Sequence, residues 1–284
     1  MGFISELFGY LLNFLYTIFN NYGVAIIVFS VLLRLILIPI TVKQQKSLSK
    51  NQKLQEEMKV LKEKYKSNPE KLNQETMNLY KRENMSPFSG CLSGIIQIVI
   101  ILAVFWLVSK PLTYMKKIDP AIIEKYTQEI KESGNTSGYT EISIINQKAN
   151  EDPEVYINMN FLGLDLSKVP TQSLEDYRVY IIPALYVISS IISVKLTNKT
   201  MDKAKDENKK VIVNEKGENQ EDEMEAMQQM SKNMTFMLPF MSVTIAFIAP
   251  LGLALYWLVS NVLMIIERIV LNKMNDKKEE TQNA

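Results

Sequence analysis

Histidine is absent from the 284-residue chain, and cysteine occurs once, at Cys91. Those absences exclude a disulfide framework, a Ser-His-Asp or Cys-His site, and a zinc site of the usual ligand set. No glycine-rich loop leads into Lys-Ser or Lys-Thr, and no Rossmann glycine fingerprint is present. Catalysis, a cofactor and a bound metal therefore have no support in the sequence. An excess of one charge sign is lacking too. The chain has 32 Lys and Arg against 31 Asp and Glu, a net charge of +1, so the overall balance says nothing about nucleic acid.

What is present is segregation. The chain is 47% hydrophobic and 22% charged, with a mean hydropathy of −0.03. That average is made of long apolar blocks alternating with blocks dense in Lys, Glu and Asn, the pattern of a polytopic membrane protein. Residues 3–19 place Ile4, Leu7, Phe8, Leu11, Leu12, Leu15, Ile18 and Phe19 at helical spacing, with Ser5, Glu6, Asn13 and Thr17 interrupting the apolar surface. This predicts an amphipathic helix at the membrane interface, within a segment 1–22. The segment lacks the basic start and the A-x-A-like cleavage site of a signal peptide.

After the break at Asn21-Tyr22-Gly23, apolar blocks cover 24–42, 87–108, 179–196, 234–249 and 251–271. Each is near the length that crosses about 30 Å of hydrocarbon at a rise of about 1.5 Å per residue. Pro250-Leu251-Gly252 makes a tight turn between the last two, which predicts an antiparallel hairpin. The expected fold class is an all-α polytopic membrane protein with five transmembrane helices: 23–42, 87–109, 178–197, and a pair within 233–271.

Orientation follows from Lys and Arg in the connections. Residues 43–86 carry eleven of them against six Glu, whereas 110–177 is acid-rich from Asp119 to Asp176. Lysines return from Lys195 to Lys210. The positive-inside rule puts the N-terminus and the 110–177 loop outside, and puts 43–86, the linker 198–232 and the tail 272–284 in the cytoplasm.

Leu54, Met58, Leu61 and Tyr65 form an apolar stripe on a lysine-rich helix, and Asn68-Pro69 offers a cap and a first-turn proline for a second helix. Together they predict a cytoplasmic helical hairpin over 43–86 whose basic face suits anionic lipid or ribosomal RNA. In the outer loop, Ser133 to Gly138 reads as a flexible turn, and YTEISII (139–145) and EVYINMNF (154–161) have strand-like character.

The polar residues inside the spans are few. Ser30, Arg34 and Thr41 share one helical stripe. Arg34 lies nine residues before Lys43, roughly 13 Å along the axis, so it is deep. A guanidinium there costs about 2.5–3.5 kcal/mol on insertion scales, which marks a working site. Pro39 removes the donor for the Leu35 carbonyl beside it. Other spans offer Gln97, the Ser190/Ser193/Thr197 stripe, Tyr256 and Ser260. Glu267 is the only acid in any span, next to Arg268. Its depth, about 10 Å off that of Arg34 by helical rise, argues against a pair between them. The expectation is a polar, hydrated cavity holding an unneutralised positive charge.

Four stretches carry a specific resemblance. YGVAIIVFSVLLRLILIPITVKQQKS, LYKRENMSPFSGCLSGIIQIVIILAVFW, NFLGLDLS and APLGLALYWLVSNVLMIIERIVLN resemble, in this order, segments of the YidC/Oxa family of membrane protein insertases. The resemblance implies five core helices around a groove open to the cytoplasm and lipid. Its site residues are Arg34, Ser30, Gln97, Tyr256, Trp257 and Ser260. It implies nascent membrane proteins and the lipid bilayer as partners, with the Sec translocon and the ribosome beside them, in a bacterial cell membrane. Met237, Phe240 and Met241, in a Met/Phe-rich fourth span, would form a slide for apolar segments.

Departures accompany the match. Ser93 and Val99 stand where relatives often have proline, and Glu267 where they have glutamine. Cys91 is too far inside the chain to be a lipoprotein anchor, the tail is short, and no large external domain is expected ahead of the first span. Two other readings fit the same residues. One is a non-transporting assembly scaffold. The other is a small-solute transporter or anion channel using Arg34, although five spans do not divide into equal repeats and no second buried charge supplies ion coupling.

Overall fold

The computed structural model of the chain describes residues 2–83, 89–134, 138–209 and 241–282. Nearly all of its regular structure is helical: α1 (Gly2–Phe19), α2 (Tyr22–Lys64), α3 (Pro69–Arg82), α4 (Ser89–Ser109), α5 (Pro120–Glu132), α6 (Thr140–Lys148), α7 (Ile181–Lys209), α8 over 241–248 and α9 (Leu251–Gln282). Among the described residues, Gly2–Phe19, Tyr22–Lys43, Tyr177–Leu196 and Leu251–Leu271 are long and apolar enough to cross a membrane, and Ile98–Ser109 is a shorter apolar helix. Leu35, Ile36, Leu185, Ile188, Ile191, Val262 and Ile266 stand exposed on these helices. Large apolar side chains in that position suit lipid rather than water.

Chain contacts divide the molecule into two units. The first comprises Met1–Ile36, Val99–Ser193 and Pro239–Ala284, and the second Leu37–Ile98 and Val194–Leu238.

In the first unit, the ends of the long helices meet on one short hairpin. Strands β1 (Asn160–Phe161) and β2 (Leu164–Asp165) pair antiparallel. Leu162 (φ 51°) and Gly163 (φ 78°) between them take the left-handed conformations of a two-residue turn. The chain around this hairpin supplies what helix N-termini lack, partners for their first N–H groups. Tyr22 N donates to Asn158 O at 3.0 Å, Leu251 N to Lys168 O at 2.9 Å, and Gly252 N to Leu166 O at 2.9 Å. Asn21 caps α2 by accepting from Val24 N through Oδ1, while its Nδ2 donates to Asn160 O. Asn158 reaches the end of α1, donating from its backbone N to Tyr16 Oη and from Nδ2 to Asn20 O. One hairpin thus ties α1, α2 and α9 at a common level.

Helix α1 folds against its neighbours along a face of small or polar residues. Ser5 Oγ donates to Ala103 O at 3.1 Å, and Phe8 meets Phe29 edge-on with ring centroids 5.7 Å apart. Gly9 lets the helix touch the backbone of Tyr114. Phe3, Leu7, Tyr10, Phe14 and Ile18 cover the opposite, exposed face. Of the residues that interrupt the apolar pattern, Ser5 therefore serves close packing rather than facing water, as small residues do at helix contacts in lipid.

The partner of α1 is a π-helical turn, Leu112–Lys116, beyond α4, and a carboxylate from α6 holds that turn. Glu141 accepts from Leu112 N (2.8 Å), Thr113 N (3.0 Å) and Thr113 Oγ1 (2.6 Å). This overturns the strand reading of YTEISII. Glu141 to Ile145 is a consecutive buried run on a helix, and packing on all sides overrides the β-branched propensity of its isoleucines. EVYINMNF keeps its alternation, with Val155, Ile157 and Met159 buried and Tyr156 exposed, but only Asn160 and Phe161 enter the ladder.

In the second unit, α2 continues without interruption past Pro39 to Lys64 and turns into α3. Asn68 Oδ1 accepts from Lys71 N at 3.1 Å, and Pro69 opens the helix. Leu54 and Leu79, one on each helix, are buried, and Arg82 pairs with Glu57.

Two tests follow from the α1–turn–α6 assembly. A Cβ at Gly9 would overlap the Tyr114 carbonyl oxygen, which is backbone and cannot yield, whereas one at Gly2 would meet nothing within 4 Å. Gly9→Ala is expected to destabilise the protein by about 1–3 kcal/mol in thermal unfolding, and Gly2→Ala not at all.

Burial pushes the Glu141 carboxyl above its ordinary value, against the hydrogen bonds from Thr113 and Leu112. The folded state therefore holds this proton more tightly than the unfolded chain does. Its contribution to stability is complete below the ordinary carboxyl range and is lost as pH rises through the raised value. Melting temperatures over roughly pH 4 to 8 should fall with pH more steeply for the wild type than for Glu141→Gln. Parallel profiles would refute the assignment.

Candidate functional site

The polar residues of the long helices gather on facing stripes of α2, α7 and α9. On α2, Ser30 is buried and donates to Ile26 O at 2.7 Å, satisfying itself within the helix. One turn later stands Arg34. On α9, Tyr256, Ser260 and Glu267 are separated by four and seven residues, so they share a face. Tyr256 hydrogen-bonds Ser260 and lies within electrostatic range of Arg34. The adjacent stripe of α9 meets α7. Trp257 stacks obliquely on Tyr186, with centroids 6.1 Å apart, and Asn261 Nδ2 donates to Ser189 Oγ (3.0 Å) and Ser190 Oγ (3.2 Å). Tyr186 Oη donates in turn to Ser242 Oγ of α8 at 2.7 Å.

Arg34 is not an unneutralised charge. Its Nη2 forms an ion pair with Glu267 Oε2, and the two side chains are only 16% and 8% exposed. The expectation of a lone cation is overturned for a geometric reason. Depth counted from flanking charges puts Arg34 about 13 Å from Lys43 and Glu267 about 9 Å from Lys273, six residues on. The remaining difference of about 4–5 Å lies within the reach of an extended guanidinium side chain, before any helix tilt is added. The pair does not exhaust the donors and acceptors present: Arg34 Nε and Glu267 Oε1 are buried with no hydrogen-bond partner among the described residues.

Beside this pair, the same three helices form an apolar groove of about 490 Å³. Ile27 and Val31 of α2, Leu185, Ile188 and Ile192 of α7, and Leu258, Val262 and Leu263 of α9 line it, with Ser189 as its one polar side chain. Arg34 follows Ile27 by seven residues and Val31 by three, and Glu267 follows Leu263 by four. By this spacing Arg34 falls near the face of α2 that carries Ile27 and Val31, but neither Arg34 nor Glu267 is among the residues that line the groove. A buried, incompletely hydrogen-bonded ion pair can bind a carboxylate, and an apolar groove can hold a hydrophobic segment along its walls.

Of the sequence-derived site residues, Arg34 pairs with Glu267, Tyr256 bonds Ser260, Trp257 stacks on Tyr186 and Ser30 bonds its own helix, and none of the five lines the groove. The side chain of Gln97, and Met237 and Phe240 altogether, lie outside the described residues, while Met241 is half exposed on α8. Sequence reasoning missed the pairing role of Glu267, the clamp formed by Asn261, and the Tyr186–Ser242 bond. Asn261 carried a signal, since an amide within an apolar span needs partners on a neighbouring helix. Among the described residues, no group of three His, Cys, Asp or Glu side chains is placed to hold a metal ion.

Long apolar helices with lipid-facing outer surfaces and a charged seam between them define an all-α polytopic membrane protein. Comparison with known proteins makes this specific: residues 14–279 match the family model described as 60Kd inner membrane protein, and the chain belongs to that family, the YidC/Oxa family. It is 26% identical over 282 residues to a membrane protein insertase YidC of Treponema denticola, covering 97% of this chain and 39% of that relative. To the one of Fusobacterium nucleatum it is 25% identical over 270 residues, covering 95% of each. To that of Caldanaerobacter subterraneus it is 40% identical over 105 residues, 37% of this chain and 51% of the relative. The chain thus spans between about two fifths and half the length of two of these relatives, and nearly the whole of the third.

The Asn261 clamp can be measured. Asn261→Val should lower thermal stability in detergent by about 0.5–2 kcal/mol, the range of hydrogen bonds between helices in lipid. Combined with Ser189→Ala, the loss should be less than the sum of the two, because both changes remove one interaction.

Proposed function

We propose that the chain is a membrane protein insertase, which moves hydrophobic segments of nascent proteins, with their short hydrophilic flanks, from the cytoplasm into the bilayer. The observation that carries this reading is the placement of Arg34: a guanidinium deep in an apolar span, paired with Glu267, on helices that also wall an apolar groove. The names of the relatives agree with it. No bond is made or broken. The groove walls hold the apolar segment, and the polar seam shortens the hydrocarbon barrier that a hydrophilic flank must cross. In this reading Met237, Phe240 and Met241 serve as a slide for the apolar segment.

Five spans cross a bacterial plasma membrane in this reading: 23–42, 87–109, 178–197 and two within 233–271. The N-terminus is outside and the C-terminus in the cytoplasm, segment 1–22 lies at the interface, and 43–86 forms the cytoplasmic hairpin. Gln97 is counted among the substrate-binding residues in this reading, as the family resemblance implies. The Sec translocon and the ribosome are the further partners.

Photocrosslinkers at Val31, Ile192 and Val262 should capture the apolar segment of a stalled nascent chain, with and without the translocon, whereas one at Leu162 on the outer hairpin should not. Equal capture at all four positions would refute the groove as the path. In a chain whose only cysteine is introduced, a cysteine at Ser137 should react with an impermeant thiol reagent from outside, and one at Asn68 should not. The reverse pattern would overturn the orientation.

A further inference from the structure

We infer that Glu267 is a selectivity residue of the groove: it occupies Arg34 in the resting protein, and an acidic residue of an entering flank takes its place. This deepens the insertase reading and rests on it. The ion pair of Arg34 Nη2 with Glu267 Oε2 is the starting point, with the Glu267 side chain only 8% exposed. A bare guanidinium in this position is unfavourable by several kcal/mol, and removing one partner of a buried pair costs far more than exchanging it for another of the same chemistry. The carboxylate of Asp or Glu in a substrate flank is the same functional group as that of Glu267. Entry by exchange therefore leaves Arg34 paired throughout, and the substrate is not asked to neutralise an exposed cation from a distance.

The surroundings suit such an exchange. Arg34 Nε has no hydrogen-bond partner among the described residues, so one donor is available to an incoming oxygen before Nη2 releases Glu267. A guanidinium presents five N–H donors and accommodates two carboxylate oxygens at once. Glu267, once displaced, still has the guanidinium of Arg268 next to it in the chain and within electrostatic range. Helices α2 and α9, which carry the pair, also carry Val31, Val262 and Leu263 in the wall of the apolar groove, so the helices that meet a flank residue at Arg34 also offer a surface for its hydrophobic segment.

Glu267 then competes with every acidic flank and raises the threshold for its entry. It also gives a basic flank a partner that Arg34 alone would deny it. The discriminating measurement is insertion of a substrate series with matched apolar segments and acidic, neutral or basic flanks, normalised to the amount of folded insertase in proteoliposomes.

Glu267→Gln should raise the acidic-to-neutral ratio several-fold and lower the basic-to-neutral ratio. Glu267→Asp, which keeps the carboxylate, should stay near the wild-type ratios. The Arg34→Gln/Glu267→Gln pair should lose most dependence on flank charge. An unchanged acidic-to-neutral ratio in Glu267→Gln, or an equal loss across all three flanks, would overturn the inference while leaving the insertase reading in place. Failure of the wild type to insert any member of the series would overturn the insertase reading itself.

Discussion

A guanidinium inside a layer of hydrocarbon must have a counter-charge or water, and in this protein the counter-charge comes from a different helix. The pairing of Arg34 with Glu267 joins α2 to α9, with Arg268 next to Glu267 in the chain. The polar residues nearby are arranged around it. Tyr256 and Ser260 lie on the face of α9 that carries Glu267, and Ser30 turns its hydroxyl back onto its own helix, so it makes no claim on the arginine. Arg34 and Glu267 are not among the residues that line the apolar groove of α2, α7 and α9. The site thus has two halves of opposite character on the same three helices.

The pair can serve only if the helices that carry it are held at matching heights, and that is the task of the segment between α4 and α7. Its hairpin accepts the first N–H groups of α2 and α9 and contacts the end of α1. Helix termini leave such groups without intrahelical partners, so loop carbonyls that meet them fix helix position as well as satisfying hydrogen bonds. Glu141 does the same for the turn beyond α4, where three donors converge on one carboxylate. The Lys168–Asp176–Arg178 cluster then fastens the approach to α7. Both cations hold the Asp176 carboxyl well below the usual range, so this contribution is present above that range and lost as pH falls, opposite in sign to that of Glu141.

Much of this was legible from residue order. The apolar runs, the break at Asn21-Tyr22-Gly23, the Asn68-Pro69 helix start and the isolation of Arg34 are local signals, each carried by a few consecutive residues. The errors were those of partner and environment. YTEISII has the β-branched composition of a strand but forms a helix, because it is enclosed on every side and delivers Glu141 to the turn at Leu112. Ser5 reads as a polar interruption of an apolar surface but lies at a close helix contact. Asn261 went unremarked beside Ser260, although it clamps α9 to two serines of α7.

Hydropathy and helical period by themselves determined that the chain is an all-α polytopic membrane protein. They also determined which residues share a face of each helix, because burial in lipid and a repeat of about 3.6 residues act within a single segment. Only the tertiary structure decided that Arg34 has Glu267 as its counter-ion, that α2, α7 and α9 wall one groove, and that the chain around the β1–β2 hairpin caps two of those helices. Such pairings depend on which helix lies against which, and on a few ångströms of relative height. One helix's periodicity carries no information about either, and a long side chain can span the difference.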